Sequence, residues 1–330
     1  MTDGAVWATP ITAMVPCFNE EACIEQAYRE ISAVMAAFAD YEILFVDDGS
    51  RDRTLELIKK FAAGDSRVRY LAFARNFGLE AAFSAGFKYA SHPWTVQLDA
   101  DLQSPPGEIP KLVAKALDGY DIVFGIRVDR QDPWLRRWGS WGLSFVARRL
   151  LAVSLPERAS VFRVARTSVA RRIVLAGLRS PYFIATAPLI GARCAAVPTA
   201  HRPRAGGTAK WSLARLVGHA TDLFVGFSVR PLAAIYVAAT SCAALAAVLL
   251  CLHETGVIGA GPLTAAVLVI NAATFAGLGV LARYLVPAVR ARSALPAYLI
   301  RESNLPIEAA DDLYAYEPSP AALHSGRTAA

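Results

Sequence analysis

Over the first 125 residues, short apolar runs alternate with longer stretches whose apolar residues recur every three or four positions. The runs Ile11–Val15, Tyr41–Asp47, Val68–Ala74, Trp94–Asp99 and Asp121–Gly125 predict five strands. The stretches 21–35, 54–63 and 79–89 carry helical spacing, and Pro105 and Pro106 stand where a further helix opens, a place that tolerates proline. Strands that are apolar throughout, separated by amphipathic helices, predict an α/β fold with a doubly wound, mostly parallel sheet. In such sheets ligands bind beyond the carboxyl ends of the strands. Polar clusters follow those ends here, at Pro16–Glu20, Asp47–Ser50, Arg75–Gly78 and Asp99–Gln103.

The periodicity changes near the C-terminus. Pro231–Leu252 and Val257–Ala282 are uncharged and apolar all round. Each exceeds the roughly 20 residues needed to cross a hydrocarbon core, whereas a soluble helix keeps a charged face. His253 and Glu254 lie in the link, so the pair reads as a transmembrane hairpin. Arg215 and Arg230 precede it, and Arg283, Arg290 and Arg292 follow. Cations on both outer flanks predict a multi-pass inner-membrane protein with its catalytic domain and both termini cytoplasmic. The N-terminal MTDGAVWATP has no apolar signal region. Four regions are expected: a ligand-binding core at 1–130, an interfacial segment completing that domain at 131–230, the hairpin at 231–290, and a flexible cytosolic tail at 291–330. The tail is polar, proline-containing and aperiodic after about Ser303. The alanine- and glycine-rich hairpin permits close packing between protomers, so a homo-oligomer is expected.

Composition sharpens this. Apolar residues make up 55% of the chain, and the net charge is +6. Between Asp132 and Asp222 there are fifteen Arg and Lys residues and a single acid, Glu157. Within that span Trp134–Val153 mixes tryptophan, leucine and arginine, the make-up of an amphipathic helix lying in a membrane interface. Basic segments beside a membrane span serve anionic headgroups, so nucleic-acid binding is not expected. The five cysteines form no CxxC pair and the five histidines show no metal spacing. Neither structural disulfides nor zinc is implied.

The strongest chemical signal is LDADLQSPP at Leu98–Pro106. Asp99, Asp101 and Gln103 follow a buried strand at two-residue intervals. Oxygen ligands so arranged suit a hard divalent cation, Mg²⁺ or Mn²⁺, that completes its shell with water and phosphate oxygens. Helix-capping aspartates are the plainer alternative. In VDDGS, Val46–Ser50, two acids precede a glycine turn and can accept hydrogen bonds from a base N–H and ribose hydroxyls; a helix cap is again the alternative. VPCFNEE, Val15–Glu21, forms another wall. No GxGxxG or GxxxxGK[ST] occurs, which removes the common dinucleotide and P-loop signatures.

VPCFNEE, EILFVDDGSRD, RNFG and LDADLQSPP, in this order and followed by two apolar helices, resemble family 2 glycosyltransferases of the GT-A fold. The hairpin resembles that of the polyprenyl-phosphate glycosyltransferase branch, and the likeness spans about residues 10–290. The resemblance implies a nucleotide diphosphate sugar as donor, with UDP favoured, and a polyprenyl phosphate such as undecaprenyl phosphate as acceptor. Asp99, Asp101 and Gln103 would then hold the metal against the diphosphate. Pro16, Glu20, Asp47 and Asp48, with Asp99, would line the donor pocket. Arg127 matches the arginine of a G-x-R element and would contact the acceptor phosphate. Arg136 and Ser140 match a basic residue and serine four apart, which bind that phosphate from one helix face. Arg204, Gly207 and Lys210 match an R-x-x-G-x-S-K loop that closes over the donor phosphates, so Asp101, Arg127, Arg204 and Lys210 are the implied catalytic residues.

An acceptor phosphate is already ionised at neutral pH and needs no general base, which suits a span almost without acids. It needs cations to hold it beside another anion, and those are plentiful. Three departures from the family pattern bear on sugar identity. Ala209 and Trp211 flank Lys210 where serine and tyrosine are usual. PERASVFR, Pro156–Arg163, lacks the glycine of the acidic element before its F-R pair. Arg283 stands where a glutamate is usual. Two rival expectations are a processive polysaccharide synthase, for which Trp134 occupies the glutamine position of QxxRW, and a non-catalytic nucleotide-sugar-binding scaffold.

Overall fold

The computed structural model describes residues 3–127, 159–175, 186–188, 190–202, 230–257, 259–291 and 298–307. They fall into two compact units. The first is built on an eight-stranded sheet. After a short helix α1 (Asp3–Trp7), strands β1 (Ile11–Cys17), β2 (Tyr41–Asp47), β3 (Val68–Phe73), β4 (Trp94–Gln97) and β5 (Ile122–Arg127) alternate with helices α2 (Ile24–Met35), α3 (Thr54–Gly64), α4 (Leu79–Tyr89) and α5 (Ile109–Leu117). Then come β6 (Ala159–Arg166), α6 (Thr167–Leu175) and β7 (Cys194–Thr199), and, at the far end of the chain, β8 (Ile300–Ser303).

Every residue of β1 and β2 is buried, because both faces of the sheet are covered. Ile11, Ala13 and Val15 of β1 join Ile43 and Phe45 of β2 in one core beneath α2, α3 and α5. Met14, Leu44 and Val46 point the other way, into a second core with Phe83 and Phe87 of α4 and Ile173 of α6. The helices supply matching stripes. Ile24, Ala27, Ile31 and Met35 are the buried side of α2, at the three- and four-residue steps of one helix face. Each such large apolar side chain contributes about 1.5–3 kcal/mol on burial. Gly86 lets α4 sit down on the sheet, since a Cβ there would overlap Met14 Sδ.

The strand order is β7-β5-β6-β4-β1-β2-β3-β8. β1 lies between β2 and β4, parallel to both. The chain runs outward from β1 through β2 to β3, then crosses back to β4 on the other side. The strand order therefore reverses beside β1, and a crevice opens above the carboxyl ends of the strands there. β6 runs antiparallel between β4 and β5, and β8 antiparallel along β3; the other six strands share one direction.

β8 corrects one expectation. Residues 291–330 read as a flexible tail, yet 298–307 return to the sheet. The Ala74 amide bonds Leu299 O at 2.9 Å, and Asn304 bonds both the Tyr70 amide (2.8 Å) and Val68 O (3.0 Å). Ile300 is buried in the second core. A four-residue edge strand made of Ile-Arg-Glu-Ser has too little periodicity to stand out from a polar tail. Long-range pairing creates it.

The second unit contains the helices α7 (Arg230–Glu254) and α8 (Ala260–Ala291). Within them Ile235–Glu254 and Ala260–Leu285 are long and apolar enough to cross a membrane. Tyr236, Leu268, Val269 and Phe275 are each more than three-fifths exposed, which a soluble surface does not tolerate in such density. The two helices pack where Gly277 meets Ile235: a Cβ on the glycine would come within 3.3 Å of Ile235 Cγ2.

Candidate active site

A cleft of about 290 Å³ lies in the first unit, beyond the carboxyl ends of β1, β2 and β4. Pro16 and Cys17 line it from the end of β1, Phe18 and Glu20 from the loop after β1, and Asp48 after β2. Asn76, Gly78, Leu79 and Ala82 line it from the turn into α4, and Asp99, Ala100 and Asp101 after β4. The sequence-derived site residues Pro16, Glu20, Asp48, Asp99 and Asp101 thus meet in one place.

The local sequence explains how each is held. Gly49 adopts φ +70°, and a Cβ on it would overlap the backbone of Arg75, so VDDGS turns tightly against the loop after β3. That loop grips Asp48: the amides of Phe77 and Gly78 donate to its two carboxylate oxygens at 2.6 and 2.9 Å. Asp47 is fully buried and stands behind the lining, where it accepts from the Ser50 amide at 3.2 Å. Burial pushes both carboxyls above their usual range, against those amide hydrogen bonds. Asn19, at φ 56°, ties the loop after β1 to the same turn: its amide donates to Ser50 Oγ, and its Oδ1 accepts from the Arg51 amide, both at 2.9 Å. Glu20 accepts from Cys23 Sγ at 3.0 Å. Burial, reinforced by Asp47 and Glu20, pushes the Cys17 thiol well up, so it is an unreactive wall.

After β4 the chain makes a strained turn. Leu102 has φ 55°, rare for a branched residue, and its side chain is buried in the first core. This anchors the turn whose Asp99 and Asp101 line the cleft. Gln103 reaches back to Asp101, its amide to Oδ1 at 3.2 Å and Nε2 to Oδ2 at 2.8 Å. In this arrangement Gln103 orients the Asp101 carboxylate. Among the described residues no three His, Cys, Asp or Glu side chains cluster to cage a metal. Two carboxylates in an open cleft do fit a hard cation that draws the rest of its shell from water and phosphate oxygens.

Arg127 closes β5, its backbone in register with Thr199 of β7. Arg136, Ser140, Arg204, Gly207 and Lys210 lie outside the described residues, as does the expected interfacial helix at 134–153. Arg171 donates to Phe87 O and Ala90 O at the end of α4.

One residue beneath the site, the arginine of the F-R pair that ends PERASVFR, has partners that its sequence context does not reveal. Arg163 pairs in register with Gln97 across β6 and β4, and its guanidinium donates twice to Gln97 Oε1, at 2.9 and 2.6 Å. It is buried, with the rings of Phe83 and Phe87 at 5.3 and 5.9 Å. Burial pulls its pKa down to about 10, while Glu80 and Asp99 act in the opposite direction, so it remains a cation at neutral pH. Burial likewise raises the Glu80 carboxyl, and Arg163 offsets part of that. The available signal was an arginine inside the apolar run SVFRVA.

Comparison with known proteins agrees with this geometry. The family model described as Glycosyl transferase family 2 matches residues 12–174. The undecaprenyl-phosphate 4-deoxy-4-formamido-L-arabinose transferase of Edwardsiella ictaluri is 32% identical over 302 residues, covering 88% of this chain and 93% of its own. The enzyme of that name from Shewanella sediminis is also 32% identical, over 303 residues, with 88% and 92% covered. Among solved structures, glucosyl-3-phosphoglycerate synthase from Mycobacterium tuberculosis, in complex with Mn²⁺, UDP and glucosyl-3-phosphoglycerate, superposes with a TM-score of 0.50 at 19% identity. That match covers 68% of this chain and 82% of the synthase and concerns the fold. The chain belongs to glycosyltransferase family 2, with a GT-A fold, and its relatives are transferases acting on undecaprenyl phosphate.

Proposed function

We propose that this enzyme transfers a sugar, with inversion, from a UDP-sugar to a polyprenyl phosphate such as undecaprenyl phosphate, for a cell-envelope glycan or lipid. The observation that carries the reading is the joint placement of Asp48, Asp99 and Asp101 in one cleft where the strand order reverses. The identity to undecaprenyl-phosphate transferases over most of both chains supports the acceptor class. The processive-synthase reading has less support, because the match to those relatives runs through the hairpin and the QxxRW element is broken at Trp134.

Asp99 and Asp101 would hold Mg²⁺ or Mn²⁺, with Gln103 keeping Asp101 aligned. A divalent cation bound there neutralises the charge that builds on a departing diphosphate. Asp48, fixed by two amides, accepts from the nucleoside, and Pro16 and Glu20 bound its pocket. Arg127, Arg136 and Ser140 hold the acceptor phosphate with an oxygen aimed at the anomeric carbon. Arg204 and Lys210 close over the diphosphate. The phosphate oxygen attacks in line, the bond to the diphosphate breaks, and no proton need be removed. Glu157 is the only acid between Asp132 and Asp222, in keeping with a nucleophile that needs no carboxylate base.

Orientation follows the chain path. β8 belongs to the sheet that carries the cleft and comes after α8. This supports both ends of the hairpin lying on the catalytic side, and the flanking arginines support that side being the cytoplasm.

The test is transfer by detergent-purified protein given undecaprenyl phosphate, Mn²⁺ or Mg²⁺, and a panel of UDP- and GDP-sugars. The expected result is lipid-linked sugar from one UDP-sugar, lost with EDTA and reduced at least 100-fold in Asp101→Ala. Nucleotide binding by a folded protein, without transfer from any donor, would favour the scaffold reading instead.

A further inference from the structure

The loop that holds Asp48 has a second support, supplied by the far end of the chain. Tyr298 stacks on Phe73, with ring centroids 5.1 Å apart and planes 7° from parallel. Phe73 meets Phe77 edge-on at 5.9 Å. The Phe77 amide makes the 2.6 Å hydrogen bond to Asp48. Beside this column Leu299 O accepts from the Ala74 amide, pinning the start of the same loop. Arg75 lies over the Phe77 ring at 4.2 Å and closes the loop from outside, while its backbone abuts Gly49. Arg301, next along β8, is an exposed cation whose field reaches Asp47. The cleft's wall at Asp48 therefore rests on three segments: the VDDGS turn, the loop 74–78, and the strand that follows the two apolar helices.

We propose that Tyr298 is a positioning residue of the nucleotide pocket, acting through Phe73 and Phe77 to hold Asp48 in place. The donor site is then incomplete without a segment that follows the hairpin in sequence, 250 residues after Asp48. A loop whose two amides must both face one carboxylate tolerates little sliding, and aromatic pairs favour defined stacked and edge-to-face geometries such as the two seen here. The inference rests on the reading of this cleft as a nucleotide site.

The opposite end of the strap provides a control. Asn304 bonds Tyr70 and Val68 at the amino end of β3, away from loop 74–78. Asn304→Ala loosens β8 without touching the aromatic column. Binding of UDP and of GDP, each with Mn²⁺, is measured by calorimetry on the full-length detergent-solubilised protein, together with the thermal midpoint of each variant. Tyr298→Ala is expected to weaken nucleotide binding about 10-fold, Tyr298→Phe to bind as the parent does, and Asn304→Ala to lower the midpoint while leaving the dissociation constant unchanged. Unaltered binding by a folded Tyr298→Ala overturns the proposal, as does equal weakening in Asn304→Ala, which would make the strap a general brace. If Tyr298→Ala does not fold, the Asn304→Ala and Tyr298→Phe results decide: weakened binding in either overturns it. Parent protein that binds neither nucleotide overturns the proposal and the nucleotide-site reading together. Normal parent binding with an unaffected Tyr298→Ala overturns only the former.

Discussion

Single side chains divide into those whose roles are local and those defined by partners distant in sequence. Asp48, Asp99 and Asp101 were legible because each follows an apolar strand, and strand ends are where this architecture binds ligands. Gly49 was legible as a turn, although the reason it must be glycine, the backbone of Arg75, was not. Gln103 was legible as an oxygen donor, but its NH₂ group faces Asp101. Arg163 was legible as the arginine of an F-R pair, but its burial and its pairing with Gln97 were not, because they exist only once β6 is in the sheet. Its environment predicts a large effect. Arg163→Met leaves the Gln97 carbonyl without its donor and Glu80 and Asp99 without their buried cation. Breaking one partner of a buried charged set costs about 3 kcal/mol or more. Denaturant unfolding of the solubilised protein should show a loss of that size, with Arg163→Lys recovering part of it. A loss under about 0.5 kcal/mol, the scale of a surface substitution, would contradict this view of Arg163.

Among elements, strands β1 to β5 were readable from sequence, whereas β6, β7 and β8 were not. β2 and α4 appear at the bounds their periodicity predicts, Tyr41–Asp47 and Leu79–Tyr89. β6 and β8 lack that regular setting, since each pairs with strands far away in sequence. At the opposite end of the sheet from the cleft, the connection between α4 and β4 is fastened by a polar cluster. Glu42 accepts from Thr12 Oγ1 and from the Ser91 amide, both at 2.7 Å. His92 lies 3.3 Å from Asp40 and 3.9 Å from Glu42. The hydrogen bond to Glu42 comes first in raising the His92 pKa, and burial opposes it. Burial works against the Glu42 carboxylate too, but the hydrogen bonds from His92, Ser91 and Thr12 outweigh it and hold it below the usual range. The sign follows from linkage. A histidine raised on folding stabilises fully below its unfolded value of about 6.5, and that contribution fades as pH climbs through the folded value. Glu42 limits the window from below, since its contribution is lost as pH falls through its lowered folded value. His92→Ala should therefore cost more stability at pH 6 than at pH 9. Thermal midpoints of the two proteins at both pH values check this, and an equal gap would mean His92 acts by packing alone.

For the whole molecule, two kinds of surface coexist in one chain. The first unit buries its apolar residues on both sides of a sheet, and the two long helices expose theirs. The apolar runs 231–252 and 257–282 made the second visible in the sequence without any tertiary information, because a membrane span advertises itself by length alone. The cation-rich span between Asp132 and Asp222 fits the proposed transfer, in which an anionic lipid is held beside an anionic donor. Chemistry links the two: a phosphate nucleophile needs positive charge and alignment, and an in-line displacement leaves a stereochemical record. Measuring the anomeric configuration of the lipid-linked product by NMR, against that of the donor, reads this record directly. Direct attack by the polyprenyl phosphate oxygen predicts the opposite configuration in the product. The same configuration in both would mean a double displacement through a covalent or otherwise shielded intermediate, and would contradict the mechanism proposed for this cleft.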